Sequence, residues 1–173
     1  IGNSTAASTV SNTSTNVDYL TFINNKITLA GGGCSGTNAN FNIRASDHMT
    51  VTGNTFAIIT SQAPCDGGKI IFASNLEFSG NTIYGNADEI TGKLEDGITV
   101  TGTNINIENN ILHDGWSYDT HPDGIIVQGD GDRNGNHTAN VKVWRNTIYN
   151  FSQNIYFDAI HNPLEGDNLI ANN

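Results

Sequence analysis

One eight-residue pattern returns along this chain: apolar, any, apolar, any, any, Asn, any, apolar. It is carried by Leu20, Phe22, Asn25 and Ile27, then by Met49, Val51, Asn54 and Phe56, and by Leu76, Phe78, Asn81 and Ile83. Ile105, Ile107, Asn110 and Leu112 form a fourth copy, Val141, Val143, Asn146 and Ile148 a fifth, and a partial sixth ends at Ile170 and Asn173. The asparagines are spaced 29, 27, 29, 36 and 27 residues, the extra length of the long interval falling in 129–138. A second apolar pair precedes each later copy: Ile70 and Phe72, Ile98 and Val100, Ile125 and Val127, Ile155 and Phe157. Asp96-Gly97 and Asp123-Gly124 introduce two of these pairs.

Alternation at period two turns one face of each short strand inwards. A single repeat cannot bury that face, whereas a stack of similar turns buries it continuously. The expected fold is therefore all-β: a right-handed parallel β-helix of about six coils of 27–29 residues, three strands per coil. The recurring Asn would take the same bend in every coil, in a left-handed conformation, bonded to neighbouring backbone. Residues 1–16 form a Ser/Thr/Asn-rich linker or an irregular first coil, and 17–173 the β-helix itself. The repeat stops mid-coil at Asn173, so a longer chain or end-to-end self-association is expected.

Composition narrows the function. Seven basic residues against seventeen acidic leave a net charge of −10, which excludes a nucleic-acid partner that needs its phosphates neutralised. No apolar run approaches the roughly 18 residues of a membrane span. Sequons at Asn3, Asn12, Asn136 and Asn150 point to a secreted or cell-surface glycoprotein. With no secretory leader visible, the chain reads as a mature or excised segment. Cys34 and Cys65 follow Ile27 and Phe56 by 7 and 9 residues, equivalent loop positions in adjacent coils. A disulfide between them fits an oxidising compartment, and two buried thiols are the alternative.

The three-strand coil with an asparagine ladder resembles the pectin-lyase-like superfamily of right-handed parallel β-helices, over about residues 17–173. That resemblance implies the fold and leaves the activity open, because lyases, hydrolases, epimerases, tailspikes and adhesins share it. It also implies a polysaccharide lying along the first strand sheet, between the loops that enter and leave it. The richest entering loop is 113–123, with His113, Trp116, Tyr118, His121 and Asp123; the leaving loop is 129–138, and the next coil adds Tyr156, Asp158 and His161. Decorated surface loops are the alternative.

Asp130, Asp132 and Asn134, with Gly135 sixth, match the opening of a calcium loop, although Val141 stands where an EF-hand needs Glu. Asp123 or Asp158 would complete such a site, and an ordinary polar turn is the competing reading. His121-Pro-Asp123-Gly124 is similar to the Asn-Thr-Asp-Gly segment of polygalacturonases, but the paired Asp of that family falls on Asn154-Ile-Tyr-Phe-Asp158. One carboxylate cannot act as both acid and base, which argues against hydrolysis of that type; a turn entering a strand also explains Asp123-Gly124. A lyase or epimerase acting on a uronate polymer needs the substrate carboxylate neutralised, here by calcium, and a base beside the acidic proton. The expected centre is His121, Asp123, Arg133 and Asp158, with Trp116, Tyr118, Gln128, Tyr156 and His161 against the sugar. The competing expectation is a non-catalytic rod: an adhesin, tailspike or fibre segment that binds glycans or itself. Lys142 and Trp144 point outward from the second sheet and read as surface residues.

Overall fold

The computed structural model describes residues 18–29, 39–58, 65–86, 94–115, 122–129, 137–158 and 166–173. Strands β1 (Thr21–Ile23) and β2 (Lys26–Leu29) belong to a partial first coil. The first complete coil is β3 (Ala39–Arg44), β4 (Asp47–Thr52) and β5 (Thr55–Ile58); the second is β6 (Asp66–Ser79) and β7 (Thr82–Tyr84). The third is β8 (Ile98–Glu108) and β9 (Ile111–His113), and the fourth β10 (Asp123–Gln128), β11 (Ala139–Trp144) and β12 (Thr147–Tyr149). A closing partial coil holds β13 (Gln153–Asp158) and β14 (Leu169–Ala171). Every pairing between coils is parallel, and no helix occurs among the described residues. The chain is a parallel β-solenoid of four complete coils with a partial coil at each end, where about six coils were expected.

Stacking in register turns the sequence repeat into columns. β3, β10, β13 and the first halves of β6 and β8 form the first sheet; β1, β4, β11, β14 and the second halves of β6 and β8 form the second, continuous with it through the bends of β6 and β8; β2, β5, β7, β9 and β12 form the third. Phe22, Val51, Phe78, Ile107, Val143 and Ile170 align in the second sheet; Ile27, Phe56, Ile83, Leu112 and Ile148 align in the third. The inward column of the first sheet is Ile43, Ile70, Val100, Val127 and Phe157. Its members in the three central coils are fully buried. Strand β3 has no counterpart among the expected apolar pairs, yet Phe41 and Ile43 occupy the inward positions of the first coil. Phe41 lies in register with Gly68, and its ring fills the space that a side chain at Gly68 would need. Phe72 departs from expectation as well. It sits at φ +56° where the register shifts between Ile70 and Ala73, and bends β6 from the first sheet into the second. Its ring is half-buried, with the Arg44 guanidinium 5.4 Å away.

The asparagine ladder is continuous. The backbone N–H and the Nδ2 of each rung donate to Oδ1 of the next, from Asn25 through Asn54, Asn81, Asn110 and Asn146 to Asn173, at 2.8–3.1 Å. Every rung after the first also donates from Nδ2 to a backbone carbonyl of the preceding coil: Phe22, Val51, Phe78, Ile107 and Val143. The left-handed residue is not the ladder asparagine but the one before it: Asn24, Gly53, Gly80, Asn109, Arg145 and Asn172, at φ 53–66°. That kink turns the chain from the second sheet into the third, and the asparagine that follows it is buried at Asn54, Asn81, Asn110 and Asn146. Burial leaves its donors dependent on the next coil, which makes one residue per turn a strong determinant of register.

Candidate functional site

Two groups of side chains stand at opposite ends of the first sheet. Asp66, Asp96 and Asp123, each followed by glycine, open three successive coils. Gly97 N–H donates to the Asp123 carbonyl at 2.8 Å, and Gly67 N–H to the Asp96 carbonyl at 2.6 Å. The coils approach so closely here that a Cβ at Gly97 would collide with the carbonyl oxygen of Gly124 and with the Leu112 side chain. Asp96 Oδ1 accepts from the Asp123 N–H at 3.1 Å, and Asp66 is ion-paired to Lys69 at 2.7 Å. Burial pushes the Asp96 carboxyl up to about 7, with the nearby charges of Asp66, Asp123 and Glu95 raising it further against the bond from Asp123. Burial also raises Asp66, opposed by Lys69.

The second group lies at the exit end. Gln128 pairs with Asp158 and Ile126 with Tyr156, so Gln128, Tyr156 and Asp158 share one outward, half-buried edge. Of the expected site residues, register brings these three together. Asp123 pairs instead with Gln153 and is 2% exposed. It stands at the far end of β10 from Gln128, about 16 Å away at strand spacing, and does not meet Asp158. Between the groups the outward-facing Thr99, Thr101 and Ile126 are themselves buried.

The expected catalytic His121 and Arg133, the sugar-facing Trp116, Tyr118 and His161, and the calcium-loop residues Asp130, Asp132 and Asn134 lie outside the described residues. Gly129, just before that loop in sequence, donates its N–H to the Asp158 carbonyl at 3.1 Å. Among the described residues no group of three or more His, Cys, Asp or Glu is placed to hold a metal ion. Cys65 is disulfide-bonded and no described cysteine is free; Cys34 lies outside the described residues, as do the sequons at Asn3, Asn12 and Asn136. Asn150 is exposed, and its Nδ2 donates to Asp114 at 2.7 Å.

His113 does not begin a loop. It ends β9 and stacks between Tyr84 and Tyr149, ring centroids 5.1 and 5.0 Å away and planes within 2°. Its Nδ1 is 2.8 Å from Asp114, whose carboxyl is held below the usual range by bonds from Asn150 and His113, against burial. This column was missed although each member directly follows the third strand's inward side chain and Thr-Ile-Tyr recurs at 82–84 and 147–149; the pairing of the intervening His113 with both tyrosines shows only once the coils are stacked. Asp96 was missed as a titrating group; the repeated Asp-Gly at 66, 96 and 123 is the signal that reveals it. No protein-family model, no curated protein and no solved structure matches the chain.

Proposed function

We propose that this β-solenoid is an extracellular carbohydrate-binding protein of the pectin-lyase-like kind, and that it holds a polysaccharide against the exit edge of its first sheet. The observation that carries this reading is the alignment of Gln128, Tyr156 and Asp158 across two coils. An aromatic ring, an amide and a carboxylate on one rigid edge match the apolar ring face and vicinal hydroxyls of a sugar. Native gels cast with xylan, a β-glucan, polygalacturonate or alginate test it, each with and without calcium. Retardation by at least one polymer, weakened tenfold or more by Tyr156→Ala, is the expected result. No retardation of the wild-type chain by any polymer contradicts the reading.

A second reading is a calcium-assisted uronate lyase or epimerase, and the Asp96 carboxyl titrating at about 7 favours it. A carboxylate so poised takes a proton beside a carbonyl group far more readily than an ordinary aspartate. His121 and Arg133 would share the acid and base work with Asp96 at the entry end, and the 130–134 loop would hold calcium against the substrate carboxylate. Calcium-dependent absorbance from unsaturated uronate ends is expected of a lyase. Its absence on every uronate polymer removes the lyase and leaves binding or epimerisation.

A further inference from the structure

The outward side of the second sheet carries a polar and aromatic assembly that plays no part in the site above. Trp144 Nε1 donates to Asn106 Oδ1 at 2.9 Å, and Asn106 Nδ2 donates to Glu77 Oε2 at 2.9 Å. These three residues come from three successive coils and face outward; Glu77, Asn106 and Lys142 stand in register, and Trp144, two positions beyond Lys142, is in register with Glu108. The indole is thereby fixed across the sheet by a side chain that is itself fixed, while remaining half-exposed. An aromatic ring oriented before any ligand arrives loses little freedom on binding.

Arg145 adds a second, independent observation. Its guanidinium lies 4.2 Å from the Trp144 ring centroid. Its backbone is held at φ +54°, at the corner that Gly80 and Gly53 occupy two and three coils earlier and asparagine occupies in the others. A long side chain kept where glycine or asparagine is easier is backbone strain retained at a specific place, and such strain concentrates at functional positions.

We propose that Trp144, Asn106, Lys142 and Arg145 form a second glycan subsite that takes a uronate unit of an acidic polysaccharide. The apolar face of the pyranose ring lies on the indole. Arg145 swings off the ring to receive the uronate carboxylate in its planar fork, since an exposed cation–π contact is weak and a charge-assisted bidentate bond is stronger. Lys142 supplies a further positive charge to the same unit. Lys142 and Arg145, two of the chain's seven basic residues, flank the ring, and Glu77 and Glu108 share the same outward face. The subsite shares its ligand class with the proposed function but lies on a different sheet, so either can fail alone.

A Trp116→Phe chain leaves Trp144 as the single tryptophan. Its emission is titrated with oligogalacturonate and, separately, with neutral xylo-oligosaccharide. The uronate ligand is expected to shift the emission and shield the ring from acrylamide, and the neutral one to bind at least tenfold more weakly. By calorimetry Trp144→Ala should cost tenfold or more in affinity. Arg145→Gly, which keeps the positive φ comfortable and the fold intact, should cost a similar factor for the uronate and little for the neutral ligand. The Trp144 response should survive in Tyr156→Ala. Unchanged Trp144 emission, uronate affinity unaffected in Arg145→Gly, or calorimetric binding abolished by Tyr156→Ala but retained in Trp144→Ala overturns the subsite; the last of these supports the first-sheet reading on its own.

Discussion

The asparagine at each corner shows how much a single side chain can decide when its surroundings repeat. Asn81 accepts from Asn54 twice and donates to Val51 and Asn110, all in a buried site. Asn81→Ala leaves the buried Asn54 N–H without its acceptor, and should cost about 2–4 kcal/mol in urea unfolding. Asn104 makes a similar-looking pair of bonds, to Asn75 and from Asn140, but on the exposed surface. Asn104→Gly removes them while suiting the local φ of +55°, and should cost less than about 1 kcal/mol. Both residues are one letter in the sequence; only the inward kink before Asn81 separates a determinant of register from a decoration. The recurring asparagine was legible because its spacing persists through five intervals. Its conformation was not, because the strain that a left-handed bend requires is carried by the preceding residue.

Among elements, the entry corner of the first sheet couples packing to titration. Gly97→Ala would force the third and fourth coils apart at Gly124 and displace the Leu112 side chain of its own coil, with an expected loss of about 3 kcal/mol measured by thermal or urea unfolding. The same close approach buries Asp96. Its folded-state carboxyl at about 7 lies above the ordinary 3.8, so the folded state binds the extra proton between these values. Stability from this group is complete below pH 4 and is lost as pH rises through 7. Allowing for partial solvent screening, the loss is roughly 2–3 kcal/mol. Asp66 acts in the same direction, whereas Asp47 and Asp114, held below their ordinary values, lose their contribution as pH falls below about 4. Unfolding midpoints should therefore be higher at pH 5 than at pH 8, and Asp96→Asn should flatten most of that slope while keeping the Oδ1 acceptor for Asp123. An unchanged slope would mean the carboxyl titrates normally. In sequence, Asp96-Gly97 precedes β8 and Asp123-Gly124 opens β10, but the burial that perturbs Asp96 appears only when the coils are stacked, with Asp123 27 residues away against it. Likewise Phe72 follows the apolar alternation and yet leaves the core, because the bend of β6 shifts register just before Ala73.

For the whole molecule, stacking makes function a matter of columns. A side chain's neighbours are residues about 27–38 positions distant, so Gln128 meets Asp158, Trp144 meets Asn106, and His113 lies between Tyr84 and Tyr149. The fold class was legible from period alone; the candidate site was legible only in part, since Asp123 and Asp158 share a loop-rich region of sequence but stand at opposite ends of β10 and β13. An edge that combines an aromatic ring with an amide and a carboxylate is the account's central claim of polysaccharide recognition. Its most direct test is a crystal structure grown with an oligosaccharide of whichever polymer retards the chain. The account predicts a sugar ring against Tyr156, with hydroxyls bonded to Gln128 and Asp158. An oligosaccharide bound with that edge empty would contradict it.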